Sequence, residues 1–144
     1  MLKVLPVRDK EKQKEYCALL SLEYDPDLMC FAACESESES ESAGEGKEQT
    51  EEFLGLSLFH IAGDVGVIDL VKLKDGLDDY LARYLLAKAP LNFVDLCGIH
   101  KATYRDSDRD LARKLEFVEK DGVFTLDLTN YFTSPCSRHK ESAQ

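Results

Sequence analysis

Residues Val65 to Leu73 read Val-Gly-Val-Ile-Asp-Leu-Val-Lys-Leu, a near-continuous apolar run with Asp69 in its middle. A strand with one wetted face alternates apolar and polar residues, whereas a strand covered on both faces does not. The run therefore predicts a central strand, and the rest of the chain must supply elements that pair with it and cover it. Gly63-Asp64 before it and Asp75-Gly76 after it are turn signals that fix its ends.

Reading outward gives an element order. Leu2–Val7 predicts a first strand, and Asp9 starts a helix with Tyr16, Leu19 and Leu20 at three-to-four spacing opposite Lys10, Lys12, Lys14 and Glu15. Asp25-Pro26-Asp27 closes that region. Leu28–Cys34 and Phe53–Ile61 predict a hairpin of two further strands. After the central strand, Leu77, Leu81, Tyr84, Leu85 and Lys88 follow a helical period to Ala89, where Pro90 stops it. Asn92–Cys97 then predicts a fifth strand, parallel to the central one because a helix precedes it. Asp106-Ser107-Asp108 caps a helix whose inner face is Leu111, Ala112 and Leu115. Phe117-Val118 and Val123–Leu128 flank Asp121-Gly122 as a last hairpin. The order is β-α-β-β-β-α-β-α-β-β, an α/β chain with a mixed sheet. Residues 1–132 make one domain, and 133–144 a flexible tail.

The hairpin carries an insert. Residues 35–52 hold eight Glu and one Lys, including a strict Glu-Ser alternation. This composition buries too little apolar area to offset its ordering entropy and predicts an acidic, low-complexity loop. Its −7 accounts for most of the formal net charge of −10. No basic stripe is present, which argues against nucleic acid and anionic membrane as partners. No apolar run reaches membrane length, and the N-terminal apolar stretch is too short for a secretory signal. The five Cys are odd in number and lack a framework spacing. They read as reduced thiols, and the chain as cytoplasmic.

Two segments carry a family resemblance. Ala82-Arg83-Tyr84-Leu85-Leu86 is similar to the G-R-A-L-L that opens the helix after the cofactor loop of the GNAT N-acetyltransferases. Ala112-Arg113-Lys114-Leu115-Glu116-Phe117-Val118-Glu119 resembles that family's Y-E-K-L-G-F-V-E segment. With the element order, the resemblance covers roughly residues 1–130. It implies the acyl-CoA N-acyltransferase fold, with acetyl-CoA between the fourth and fifth strands and its pyrophosphate on a Q/R-x-x-G-x-G/A loop at a helix N-terminus. Carried over by position, it points to Leu70, Val71, Leu73, Leu77, Tyr80, Ala82 and Arg83 for the cofactor. Asp69 stands where the family often has a Glu base.

The sequence departs from that pattern. Leu77 takes the Gln/Arg position and Tyr80 the middle Gly, and only Ala82 is a permitted residue. Asp75, Asp78 and Asp79 surround the loop. Two like charges at ~6 Å repel by about 3 kcal/mol at an effective dielectric of about 20, so acetyl-CoA binding is expected to be weak. Ala112 replaces the family's Tyr acid, Glu116 the Gly of L-G-F, and Arg105 its Asn.

Among side chains with chemistry, Asp69 could take a proton from an amine, or could simply accept backbone N–H bonds at a strand splay. Tyr104, following the fifth strand, and Tyr80 could replace the missing phenol, or be partly buried aromatics. Cys30-x-x-x-Cys34 and Cys97-x-x-His100 lack structural zinc spacing and read as small hydrophobes, so no metal is expected. The Glu-Ser run could bind calcium or take phosphate on Ser36, Ser38 or Ser40, or be a solvated loop. Two functions follow: an N-acetyltransferase acting on a small-molecule or peptide amine, or a silent binding or regulatory module of that fold that has lost CoA.

Overall fold

The computed structural model describes residues 2–36, 51–129 and 131–132. Seven strands form one mixed sheet in the order β1-β2-β3-β4-β5-β7-β6. They are β1 (Leu2–Pro6), β2 (Met29–Ser36), β3 (Glu51–Ala62), β4 (Val65–Leu73), β5 (Lys101–Tyr104), β6 (Val118–Lys120) and β7 (Val123–Asp127). The helices are α1 (Lys10–Leu19), α2 (Tyr80–Leu96) and α3 (Arg109–Lys114). The element order is the one read from the sequence, and β4 lies at the centre. None of the helices, among the described residues, is long and apolar enough to cross a membrane.

Two cores lie on opposite faces of the sheet. Cys17 and Leu20 of the α1 region pack with Cys30, Leu56 and Leu58 on one face. Leu86, Leu91 and Val94 of α2 and Leu111, Ala112 and Leu115 pack with Ile68, Val71 and Leu73 on the other. That is why β4 lacks alternation: its two faces meet different helices.

The fifth strand is misplaced in the sequence reading. Asn92–Cys97 is not a strand; the helix runs through Pro90 to Leu96 with Cys97 as its C-cap. A mid-helix proline costs about 3 kcal/mol. Burying Leu91 and Val94, at helical spacing from Ala87, returns about 1.5–3 kcal/mol each. The strand parallel to β4 is the four-residue β5, with Gly66↔Ala102, Val67↔Thr103 and Ile68↔Tyr104 as partners. Gly66 permits this crossover, because a Cβ there would lie 2.8 Å from the Val94 side chain.

The expected inner face of α2 is also corrected. Leu81 is exposed, and the buried stripe is Ala82, Leu86, Ala87, Pro90, Leu91 and Val94. In α1, Leu19 points to solvent while Gln13 and Cys17 are buried. Gln13 Nε2 donates to Leu28 O at 3.1 Å, which satisfies the buried amide. The acidic insert is shorter than read, since Glu35 pairs with Glu52 and Ser36 with Glu51 in the β2–β3 ladder. The expectations for the rest of that insert and for 133–144 fall on residues 37–50 and 133–144, outside the described residues.

Candidate functional site

The parallel pairing of β4 with β5 is short: β5 ends at Tyr104, opposite Ile68, and beyond this splay point β4 runs on to Leu73. The last bond between them runs from Arg105 N–H to Ile68 O at 2.8 Å. At the same level β4 carries a bulge: Leu58 of β3 pairs with Leu70 and Phe59 with Ile68, leaving Asp69 as the extra residue. Bulges re-aim side chains next to sites. Here the bulge turns the Asp69 carboxylate to His60 of β3, with Oδ2 2.7 Å from Nδ1. Arg105 Nη1 approaches Oδ1 at 3.9 Å. Asp69 therefore engages side chains from both neighbouring strand regions rather than the backbone donors that its plainer reading supposed. By alternation His60 projects opposite to Phe59 and Ile61, on the α1 side.

Tyr104 ends β5 instead of following it, and it lies on the other face. It is 4 % exposed, packed against Phe117 and Phe124 within the α2/α3 core. Its hydroxyl donates to Asp106 Oδ2 at 3.4 Å. Burial, followed by the charges of Asp106 and Asp108, pushes this phenol far above the ordinary tyrosine range. The fold thus keeps the two expected catalytic side chains, Asp69 and Tyr104, on opposite faces of the sheet.

The expected cofactor positions are spread over the second half of β4, the turn after it and the first turn of α2. Val71 directs its backbone N–H toward the β5 side, and Asp106 Oδ1 accepts it at 3.1 Å. By alternation Leu73 N–H turns the same way, while Leu70 packs its side chain on the α1 core. Leu77 is half-buried against the α2 core, and its N–H closes the Asp75-Gly76 turn onto Lys74 O. Tyr80 is exposed at the first position of α2 and stands beside Tyr84. Asp79 is the N-cap, its Oδ1 accepting Ala82 N–H at 3.1 Å. Arg83 crosses to α3, with Nη1 2.9 Å from Asp108 Oδ2. That contact is an ion pair without hydrogen-bond alignment, and the buried Nε–H of Arg83 has no partner.

The donor set is thus right in kind for an acyl-CoA, with strand N–H groups at a splay and the N-terminus of a long helix. In this conformation two of those donors, on Val71 and Ala82, are satisfied by the chain's own carboxylates. Sequence reasoning missed His60, although its place on the strand beside Asp69 was readable. It also missed Asp106, whose bond to Val71 spans 35 positions and leaves no sequence signal.

The remaining candidates do not converge. Cys30 and Cys34 share a strand face but stand about 13 Å apart at ~3.3 Å per residue. His100 is held by Asp95 at 2.8 Å, and Cys97 is an exposed helix cap. Among the described residues no three His, Cys, Asp or Glu cluster as metal ligands do.

Comparison with known proteins places this architecture. No protein-family profile matches the sequence. No characterised protein matches it either. Solved structures do. The chain is similar to a Bacillus subtilis acetyltransferase crystallised with CoA, at 15% identity and a TM-score of 0.58, covering 89% of this chain and 99% of that one. It is similar to a mutant form of the spermidine/spermine N-acetyltransferase of Vibrio cholerae, at 10% identity and a TM-score of 0.60, covering 93% and 98%. A GNAT-family acetyltransferase from Staphylococcus aureus aligns at 9% identity and a TM-score of 0.57, covering 89% and 99%. The chain has the GNAT acetyltransferase fold.

Proposed function

We propose that this chain is an N-acetyltransferase that moves an acetyl group from acetyl-CoA to a small-molecule or peptide amine. The observation that carries the reading is the His60–Asp69 pair at the bulge of β4, beside the splay. Acetyl-CoA, when bound, supplies an activated acyl thioester. Everything else is the chain's own work. Asp69 would accept from His60 Nδ1–H, the tautomer that leaves Nε2 as the acceptor of the neutral ring. His60 Nε2 would then accept the proton that the acceptor nitrogen loses as its bond to the acyl carbon forms and the carbon–sulfur bond breaks, and return that proton to the departing thiolate, so that the free thiol leaves. Val71 N–H is the backbone donor suited to a carbonyl oxygen at the splay. The base is thus the imidazole, with Asp69 orienting it, in place of direct proton abstraction by Asp69. The buried Tyr104 holds its proton and braces Asp106.

The second reading, a silent module that has lost CoA, is favoured by one observation: Val71 and Ala82 N–H are both capped by carboxylates. One assay separates the two. Thiol release from acetyl-CoA is followed with a panel of di- and polyamines and N-terminal peptides. His60→Gln and Asp69→Asn should each lower turnover by about 10²–10⁴-fold while the thermal midpoint stays put. Absence of turnover with every amine, at millimolar acetyl-CoA, would remove the enzyme reading.

A further inference from the structure

We infer that Asp106 is a built-in occupant of the acyl site, and that a ligand enters the β4–β5 cleft only by displacing it. The inference rests on reading the cleft as an acyl-CoA site. It adds a gate that this chain carries in its own sequence.

The geometry is specific. Where β4 and β5 separate, Val71 N–H loses its strand partner, and a buried donor in that position needs an acceptor. Asp106 supplies one at 3.1 Å through Oδ1. Its other oxygen accepts Asp108 N–H at 3.0 Å and Tyr104 O–H at 3.4 Å. Three donors from β4, β5 and the α3 cap therefore converge on one carboxylate. Such a group mimics a thioester carbonyl in shape, as an sp² oxygen aimed along the strand N–H. It binds more strongly because it is charged. The loop bearing it is tied at its far side. Asp108 caps α3 by accepting Leu111 N–H at 3.1 Å and pairs with Arg83 of α2. Vacating Val71 thus means moving a loop that also bridges the two helices beside the cleft.

Asp106→Ser tests this. A serine hydroxyl can keep the turn bond to Asp108 N–H, but it is too short to reach Val71. Two readouts are compared in the full-length protein and its variant: amide hydrogen exchange at Val71, and CoA binding by calorimetry at low salt. The parent should bind CoA at about 0.1 mM or weaker. The variant should bind about tenfold tighter, with faster exchange at Val71 and unchanged exchange at Ile68. Equal CoA affinity in parent and variant, with Val71 freed, would overturn the gate. Binding in neither protein at millimolar CoA would instead remove the acyl-CoA reading, and the gate with it. If the serine variant proves unstable, Asp106→Asn keeps one acceptor oxygen, removes the charge and puts an NH₂ donor where the second acceptor stood. It should then tighten CoA by a few-fold, and an unchanged affinity there would count against the gate.

Discussion

Tyr104 and Cys30 are buried groups that the fold holds in their protonated forms. Burial raises the Cys30 thiol from 9.0 to about 12, with nearby Cys17 adding to the effect and Lys10 opposing it. Tyr104 is raised from 10.0 in the same direction. In the unfolded chain both lose their protons at ordinary pH values, so above pH 9 unfolding releases protons. Stability is complete below pH 9 and falls as pH climbs toward 12, by about 1.4 kcal/mol per pH unit for each group engaged. Denaturant midpoints between pH 8 and 11 should show the parent weakening from pH 9. Cys30→Ala should weaken with a shallower slope from pH 9, since the buried Cys17 thiol is also raised, and Tyr104→Phe should have a shallower slope above pH 10. Parallel curves for parent and Cys30→Ala would contradict the burial argument. At this scale the sequence was legible where a residue's environment follows from its own strand. Asp69 stood out as a carboxylate in an apolar run. The pairing of His60 with Asp69 depends on the bulge in β4, and the role of Asp106 on a contact across 35 positions, neither of which a local pattern encodes.

All three helices end in the same way, and the differences between those ends are informative. In α1, Ser21 N–H bonds Ala18 O and Leu22 N–H bonds Cys17 O; in α2, Gly98 and Ile99 bond Asp95 O and Val94 O; in α3, Glu116 and Phe117 bond Arg113 O and Ala112 O. Each is a Schellman closure with a left-handed residue just past the cap. Gly98 suits that position, but Glu116 holds φ 79° with a side chain attached. It stands where the resembling segment has the Gly of L-G-F. A non-glycine left-handed residue costs about 1–2 kcal/mol, and glycine gives back part of this through unfolded-state entropy. Glu116→Gly should therefore stabilise the protein by about 0.5–1 kcal/mol, and Gly98→Ala should destabilise it by a similar amount, both read from urea midpoints. Loss of stability in Glu116→Gly would mean that Glu116 makes a compensating interaction. The helices were readable from periodicity and, for α1 and α3, from caps at Asp9 and Asp108; α2 starts later than read, with Asp79 as its N-cap. The end of α2 was not readable, because the rule that proline stops a helix yielded to burial of Leu91 and of Val94, the latter against Gly66. Once the helix absorbed 92–96, the parallel strand had to be the short Lys101–Tyr104, whose alternation is too brief to notice beside a longer apolar run.

At the scale of the whole sheet, the segment joining β2 to β3 is expected to contribute little to stability. Ser36 and Glu51 are paired at the end of that ladder, so replacing residues 37–50 with Asn-Gly makes a two-residue hairpin in register. Unfolding free energy should change by less than about 1 kcal/mol, because shortening a loop alters closure entropy slowly. A loss of several kcal/mol in denaturant titration would assign structural work to the excised residues. The order of elements was legible because each strand and helix is bounded by turn residues. A parallel partner for β4 after a helical crossover followed only from the family resemblance and a crossover rule, and it was assigned to residues 92–97, which belong to α2 or its cap. That crossover also sets a schedule for the molecule. Strands β2, β3 and β4 are successive antiparallel neighbours, so they can zip together from local encounters. Placing β5 requires closing the long α2 connection, so this pairing is expected to form later, as an event of higher contact order. The cleft is therefore a seam between an early half and a late half. The few hydrogen bonds that close it should be among the first to open in the native state, which puts the most readily breathing part of the sheet at the place where a ligand must enter.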